Sequence, residues 1–255
     1  MEDFPTRVAV ELTNYCNLSC SVCPRHHIEM EHGRMSWELW TKLIDEISQY
    51  HTTLIPAWRG ELMCHPQAAE MLFYAVRRVH DIVLVSNGTL IDSFSLPVEL
   101  LSEFSAFNIS IQGSDSLKGL KYLSKYVLRK ELMATRVVGM AKDTGLKPFG
   151  EATRLAGRTR TYRQHTINGV WGQVKDRPIK LRRWCKRLDY ELCITWNRQV
   201  SRCCYVWEPL KYCNVKTRTI KEAWHNSIEL HKVRSLYPDP ICGGCDQWAG
   251  DGSTL

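Results

Sequence analysis

Short apolar segments alternate along the chain with longer segments in which apolar residues recur every three or four positions. The short segments predict strands at 8–12, 54–58, 82–85, 107–113 and 136–140. The amphipathic segments predict helices at 36–50, 68–80, 97–103 and 116–132, with Ser36 placed to cap the first. A short strand at 149–153 is the last candidate. This alternation predicts an α/β fold, a partial TIM-like (β/α) barrel of five or six strands.

The C-terminal part of the chain has a different pattern. Segments 192–196 and 200–202 flank the turn-forming residues 197–199 and predict a β-hairpin, and segment 221–236 predicts one helix. The chain is therefore predicted to have three regions: a barrel at 1–155, a basic linker at 156–183 and a small C-terminal domain at 184–255.

Positive charge is concentrated in one segment. Eleven of the 34 lysines and arginines lie between Arg154 and Arg187 with a single acidic residue, Asp176, so this segment carries +10 and the rest of the chain −3. Such a segment can attract an anionic substrate, an acidic peptide or RNA. A solvated linker is an equally good interpretation, because runs of charge are often only surface.

Composition bears on the cellular compartment. No apolar segment approaches the roughly 20 residues that a membrane span needs, and the N-terminal residues lack the order of a signal peptide. We therefore expect a cytoplasmic protein without membrane contact. The 11 cysteines then favour metal ligation over disulfides, because the cytosol keeps thiols reduced.

Three of these cysteines directly follow the first predicted strand. Cys16, Cys20 and Cys23 can bind three irons of a 4Fe-4S cluster and leave the fourth iron without a protein ligand. A zinc ion is the alternative, since His26 or His27 offers a fourth ligand. The spacing of the three thiols favours the cluster. The carboxyl end of a barrel strand is also where the active sites of parallel α/β barrels lie.

The Cys-x3-Cys-x2-Cys motif resembles that of the radical S-adenosylmethionine (SAM) enzymes. The resemblance implies that SAM binds the open iron through its amino and carboxylate groups, and that a flavodoxin or ferredoxin reduces the cluster. It also implies that SAM is cleaved to methionine and a 5'-deoxyadenosyl radical, which takes a hydrogen atom from the substrate. Val22 stands where the family often has an aromatic residue near the adenine.

A glycine and a glutamate follow the second predicted strand. Glycine lets a cofactor approach the backbone, and a carboxylate accepts hydrogen bonds from an ammonium group. Gly60 and Glu61 resemble the Gly-Gly-Glu-Pro segment of the family, which implies that they hold the amino group of SAM. Arg59 and Leu62 depart from that segment, because they replace its first glycine and its proline.

Polar residues at the ends of the next two strands are further candidates for the SAM site: Ser86, Asn87, Ser110 and Gln112. The resemblance implies that the first pair borders SAM and that the second pair lies near its ribose or carboxylate. For the second pair, the ordinary polarity of a barrel interior is the alternative. Cys64 and His65 are interpreted as packing residues rather than ligands.

A second group of cysteines follows the basic segment. Four thiolates can ligate a 4Fe-4S cluster completely, and a zinc ribbon is the alternative. The spacing of this group, with residues 214–215 and 223–226, resembles the twitch domain, a shortened relative of the SPASM domain of radical SAM enzymes. The ligands that this resemblance implies are Cys185, Cys203, Cys242 and Cys245. Cys204 competes with Cys203, whereas Cys193 and Cys213 are interpreted as structural.

Three functions are considered. A fully ligated auxiliary cluster can accept an electron, so the first is an oxidoreductase acting on a small polar or anionic sugar, aminocyclitol or nucleotide-linked molecule. Within the resemblance, Arg154 or Arg158 stands near the sequence position at which such dehydrogenases have an arginine that binds substrate. The second is a peptide-modifying enzyme, although the first strand begins near Thr6 and leaves no room for the N-terminal module that binds a leader peptide. The third is an iron-sulfur or zinc protein that binds RNA without catalysis.

Overall fold

The structure, a computed structural model, describes residues 2–20, 23–26, 28–127, 133–137, 154–156, 158–161 and 185–235. The strands in these residues are β1 (Arg7–Val10), β2 (Thr53–Ile55), β3 (Asp81–Ser86), β4 (Ala106–Ile111), β5 (Met133–Val137), β6 (Arg158–Thr161), β7 (Glu191–Ile194) and β8 (Val200–Ser201). The α-helices are α1 (Trp37–Ile47), α2 (Ala68–Val76), α3 (Val98–Leu101), α4 (Ser116–Tyr126), α5 (Arg187–Tyr190), α6 (Ile220–Asn226) and α7 (Ile228–Ser235).

All of these strands belong to one sheet with the order β6-β5-β4-β3-β2-β1-β7-β8. The first six pair in sequence order, and each pair is parallel. Helices α1 to α4 connect β1 to β5 in turn, which is the partial (β/α) barrel that the alternation predicts. β7 pairs in parallel with the free side of β1, and β8 pairs antiparallel with β7. The C-terminal hairpin therefore extends the sheet of the barrel.

Burial alternates along the central strands, as expected when one face packs on helices and the other lines a barrel. The buried positions are Ile82, Leu84 and Ser86 on β3 and Phe107, Ile109 and Ile111 on β4. The intervening side chains are half-buried and include Asn108 and Ser110. The sheet thus presents a partly polar face on the side away from its apolar core.

The helices show why the amphipathic segments fold as predicted. Ser36 caps α1 by accepting a hydrogen bond from the backbone N–H of Leu39. Trp40 is fully buried, and its indole N–H donates to the carbonyl of Met71 at 2.8 Å, which joins α1 to α2. The longest described helices, α1 and α4, have 11 residues each, and none in the described ranges is long and apolar enough to span a bilayer.

Several boundaries differ from the prediction. α4 ends at Tyr126, because the backbone of Val127 is extended (φ −83°, ψ 96°), whereas the predicted end is at 132. β5 occupies Met133–Val137, in register with β4, and so begins three residues before the predicted start at 136, while residues 138–140 lie outside the described residues. β6 lies within the segment predicted as a basic linker. The strand predicted at 149–153 lies outside the described residues.

The C-terminal hairpin is confirmed, with Arg198 in the left-handed region (φ 76°) at its turn. The prediction of one helix at 221–236 is wrong, because Ser227 separates α6 from α7. Ser227 has an extended backbone (ψ 112°), and its hydroxyl accepts a hydrogen bond from the N–H of Leu230. Its side chain therefore caps a new helix where the periodic pattern predicts a continuous one.

Candidate functional site

Three loops meet at the carboxyl ends of β1, β2 and β3, which are neighbours in the sheet. The loop after β1 carries Cys16, Cys20 and Cys23, the segment after β2 carries Gly60 and Glu61, and Ser86 with Asn87 ends β3. Parallel strands place their carboxyl ends at one edge of the sheet, so residues far apart in sequence come together there.

Glu61 is the central acceptor of this edge. Its side chain is 3% exposed. Oε1 accepts from the hydroxyl of Ser86 at 2.8 Å and from the N–H of Met63 at 3.3 Å, and Oε2 accepts from the N–H of Asn87 at 2.7 Å. Burial raises the pKa of Glu61, while these hydrogen bonds oppose the rise by stabilising the carboxylate. The side chain is thus held in one orientation.

Gly60 lies against the strand-to-loop segment that leads to the cysteines. A Cβ atom at this position would lie 2.5 Å from the carbonyl oxygens of both Thr13 and Tyr15. The next residue continues this contact, since the N–H of Glu61 donates to the carbonyl of Tyr15 at 2.8 Å. Only glycine permits this close approach of two backbone segments.

Asn87 connects Glu61 to the cysteine loop. Its side-chain amide donates to Oδ1 of Asn17 at 3.0 Å and lies 3.9 Å from Sγ of Cys16. Asn17 in turn donates to the hydroxyl of Thr89 at 2.7 Å. A continuous set of hydrogen bonds therefore runs from a buried carboxylate to the first thiol of the motif.

The three thiols of the motif are half-buried. Burial is the main cause that raises the pKa of all three, and that of Cys20 rises to about 11, with Cys23 and Cys16 as further causes. A thiol must lose its proton to bind a metal, so ligation here would release protons. In the described parts of the chain no three His, Cys, Asp or Glu side chains converge as ligands of one ion. A cubane does not require this, because each of its thiolates binds a different iron.

Arg25 places a positive charge beside these thiols. Its guanidinium donates to the carbonyl of Leu18 at 2.8 Å, and its charge lowers the pKa of Cys23 against the effect of burial. A cationic group next to three thiols suits an anionic cluster. With the glutamate and glycine described above, the donor set fits a 4Fe-4S cluster and a SAM amino group. Ser21, Val22 and His27 lie outside the described residues.

The other barrel candidates lie on later elements of the chain. Ser110 is half-buried near the end of β4, and the N–H of Gln112, just beyond it, donates to the hydroxyl of Ser116 at 3.1 Å. Arg154 is exposed, and Arg158 begins β6 opposite Ala134 of β5. The structure thus brings Glu61, Ser86 and Asn87 into direct contact, whereas Ser110 and Gln112 lie at and just beyond the end of β4, Arg154 lies before β6 and Arg158 lies on it.

Cys64 and His65 behave differently from each other. His65 is buried, with Nε2 donating to the carbonyl of Met35 at 3.0 Å and Nδ1 accepting from the N–H of Gln67 at 3.1 Å. Both of its ring nitrogens are therefore used by the backbone, as a packing residue requires. Cys64 is half-buried, with its thiol 4.0 Å from Oδ1 of Asn17, at the border of the cysteine loop.

The second group of cysteines is described in part. Cys185 is buried before α5, Cys203 is buried after β8, and the backbone N–H of Cys204 donates to Oε1 of Glu191 at 2.8 Å. Cys193 and Cys213 are also buried, and burial raises the pKa of both thiols. Cys242 and Cys245 lie outside the described residues. The assignment of auxiliary ligands therefore stays a prediction.

Sequence reasoning missed Asn17, Arg25 and Glu11 as parts of the site. Asn17 lies within the cysteine motif and Arg25 lies two residues after it. This proximity to the cysteines is the sequence signal that could have identified them. Glu11 is a charged residue inside an apolar strand segment and is fully buried, which is costly without a partner. That partner is Arg59, whose Nε and Nη2 donate to its two carboxylate oxygens at 2.7 Å each.

The fold is that of the radical SAM enzymes. BtrN, solved in complex with AdoMet and 2-DOIA, matches with a TM-score of 0.66 and 14% identity over 96% of this chain and 94% of BtrN. SuiB of Streptococcus suis, solved with the precursor peptide SuiA, matches with a TM-score of 0.60 and 12% identity over 95% of this chain and 71% of SuiB. No protein-family model matches the chain.

Sequence similarity extends to two curated proteins. The antilisterial bacteriocin subtilosin biosynthesis protein AlbA of Bacillus subtilis is 27% identical over 123 residues, 46% of this chain. The tungsten-containing aldehyde ferredoxin oxidoreductase cofactor-modifying protein of Pyrococcus furiosus is 27% identical over 104 residues, 40% of this chain. Each alignment spans 28% of the relative's length. The resemblance to radical SAM enzymes with twitch or SPASM relatives is thereby confirmed.

Proposed function

We propose that this chain is a radical SAM enzyme whose primary 4Fe-4S cluster is held by Cys16, Cys20 and Cys23. The observation that carries the proposal is the set of hydrogen bonds from Glu61 through Asn87 to the side of Cys16. It sets a buried carboxylate, suited to an ammonium group, beside the thiol loop. When bound there, the cluster and SAM supply a 5'-deoxyadenosyl radical for hydrogen abstraction.

The residues of the chain have separate tasks in this proposal. Glu61 would accept the amino group of SAM, because Oε2 receives one hydrogen bond from the described residues and has a second lone pair. Ser86 and Asn87 keep the carboxylate in place, and Gly60 keeps the backbone close to the cysteine loop. Ser110 and Gln112 would lie near the ribose or carboxylate of SAM.

We further propose that the reaction oxidises a small polar or anionic molecule. The substrate would first lose a hydrogen atom. It would then lose a proton and pass one electron to an auxiliary 4Fe-4S cluster. The similarity to BtrN, which extends over nearly the whole of both chains, supports this choice, as does the concentration of positive charge between Arg154 and Arg187. The auxiliary ligands proposed are Cys185, Cys203, Cys242 and Cys245.

Modification of a peptide is the second candidate. It is favoured by the similarity to AlbA, a bacteriocin biosynthesis protein, and to SuiB, solved with a precursor peptide. A basic segment suits an acidic peptide as well as an anionic metabolite. In either case a flavodoxin or ferredoxin would supply the electron for the primary cluster.

The decisive experiment measures 5'-deoxyadenosine formed by anaerobically reconstituted protein with SAM and dithionite. We expect formation by the unaltered chain, none by Cys23→Ala, and formation by Cys213→Ala, the same change at a buried cysteine outside the motif. Formation by Cys23→Ala would disprove the primary site. Intact SAM with the unaltered chain, together with salt-sensitive RNA binding, would instead favour the RNA-binding hypothesis.

Two further measurements separate the finer alternatives. The reconstituted chain should contain about eight irons, and about four after Cys16, Cys20 and Cys23 are replaced by Ala. A cell extract that stimulates 5'-deoxyadenosine formation should keep this effect after protease treatment if the substrate is a small molecule. Loss of the effect would point to a peptide.

A further inference from the structure

Arg59, which stands where the family resemblance predicts a glycine, forms a buried ion pair with Glu11. Its side chain is 5% exposed, and Glu11, at the end of β1, is fully buried. The guanidinium donates one hydrogen bond to each oxygen of the carboxylate. The backbone N–H of Arg59 donates a third to the carboxylate, at Oε1, with a distance of 3.3 Å. The N–H of Trp196 donates to Oε2 at 3.2 Å. Every lone pair of this buried carboxylate therefore has a donor.

The same segment reaches the loop that follows the C-terminal hairpin. The remaining terminal nitrogen of Arg59, Nη1, donates to the carbonyl of Trp207 at 3.1 Å. Its neighbour Trp58 donates its indole N–H to the carbonyl of Cys204 at 2.8 Å. The consecutive side chains of Trp58 and Arg59 thus hold both ends of segment 204–207. Glu61 lies two residues after Arg59 in the same stretch of chain.

We propose that Arg59, paired with Glu11, is a positioning residue that fixes the segment carrying Glu61 relative to the segment that begins at Cys203. The inference rests on the proposed function, in which these segments serve SAM and the auxiliary cluster. Glu11 also stands five residues before Cys16, so the pair anchors the base of the primary cluster loop as well. Electron transfer between two cofactors needs a fixed geometry between their binding segments, and one buried contact supplies it here.

If the pair only stabilised the fold, without positioning the two segments, its replacement would have a different effect. Buried ion pairs are often replaceable by apolar residues of similar volume with no loss of stability, whereas removal of one partner leaves a costly unpaired charge. The double variant Arg59→Met with Glu11→Leu leaves no unpaired charge and therefore folds under either account, at some cost in stability, because the N–H groups of residues 59 and 196 and the carbonyl of Trp207 lose their partners. It removes the guanidinium that holds Trp207 and loosens the two segments only if the pair positions them.

The test uses two readouts on this double variant. Hydrogen exchange of the full chain without cofactors should become at least about tenfold faster at 61–63 and 204–207, beyond any general change in the rest of the chain, because a shared hydrogen-bonded anchor is lost. In the reconstituted protein, the Kd for SAM, measured by EPR of the reduced primary cluster, should rise about tenfold, the equivalent of one hydrogen bond.

The control is Trp40→Phe, which removes a buried hydrogen bond between α1 and α2 that does not involve segment 204–207. It should lower the unfolding midpoint without changing exchange at these two segments relative to the rest. Exchange and SAM affinity within twofold of the unaltered chain in the double variant, or equal changes in Trp40→Phe, would overturn the inference. Failure of the unaltered chain to cleave SAM would disprove the proposed function instead, and the exchange readout would still decide whether the segments are coupled.

Discussion

The backbone N–H of Asn87 donates to Oε2 of Glu61 at 2.7 Å, so the turn after β3 is bonded to the carboxylate that follows β2. This contact is possible because β2 and β3 are parallel neighbours whose carboxyl ends lie side by side. A fixed backbone donor and the hydroxyl of Ser86 together orient a side chain that could otherwise turn away. The protein itself therefore holds this carboxylate in one orientation.

Glu61→Gln should destabilise the fold although it preserves the shape of the side chain. One carboxylate oxygen becomes an NH2 group, which opposes either the N–H of Asn87 or the donors to Oε1. We expect the free energy of unfolding to fall by about 1–3 kcal/mol, measured by urea denaturation of the chain without cofactors. Glu103→Gln, at an exposed position, should change it by less than about 0.5 kcal/mol. Equal stability of the two variants would show that the donors around Glu61 are not as described.

Gly60→Ala tests the close approach between the segment after β2 and the cysteine loop. The added methyl group would lie 2.5 Å from two backbone carbonyl oxygens, which cannot move independently of the chain. We expect a loss of about 1–3 kcal/mol in the free energy of unfolding, typical of overpacking. The matched control is Gly113→Ala, where a Cβ would meet no atom within 4 Å.

Thermal unfolding followed by circular dichroism distinguishes these two alanine variants. Gly113→Ala should leave the midpoint unchanged or raise it slightly, because alanine restricts the unfolded chain more than glycine does. If Gly60→Ala unfolds at the same temperature as the unaltered chain, the two backbone segments are farther apart than the structure places them.

The strands that a sequence pattern predicts well are those with a strong pattern of their own. β3 and β4 lie within two residues of their predicted bounds, because β3 is a continuous apolar run and β4 alternates apolar with polar residues. β6 has the sequence Arg-Thr-Arg-Thr, which carries no apolar alternation. It forms a strand because the edge of β5 offers unpaired backbone groups, a tertiary cause that local sequence does not contain.

In the site, too, local features could be predicted from the sequence and tertiary contacts could not. The spacing of the cysteines and the Gly-Glu pair are local, so the sequence identifies them. The contact between Glu11 and Arg59 joins residues 48 positions apart and exists only because β1 and β2 are adjacent. Sequence reasoning could note a charge in an apolar strand and an arginine in place of a glycine, but it had no means of pairing them.

Ser227→Ala examines the break between α6 and α7 that periodicity did not predict. The hydroxyl of Ser227 accepts from the N–H of Leu230 at 3.2 Å, so its loss leaves a first-turn N–H without its cap. We expect the free energy of unfolding to fall by about 1 kcal/mol, measured by urea denaturation. Ser235→Ala, at an exposed position near the end of α7, should have an effect below about 0.5 kcal/mol, because its hydroxyl only bonds back to its own helix. A gain in both stability and far-ultraviolet helical signal in Ser227→Ala would instead mean that α6 and α7 merge, and that the serine alone separates them.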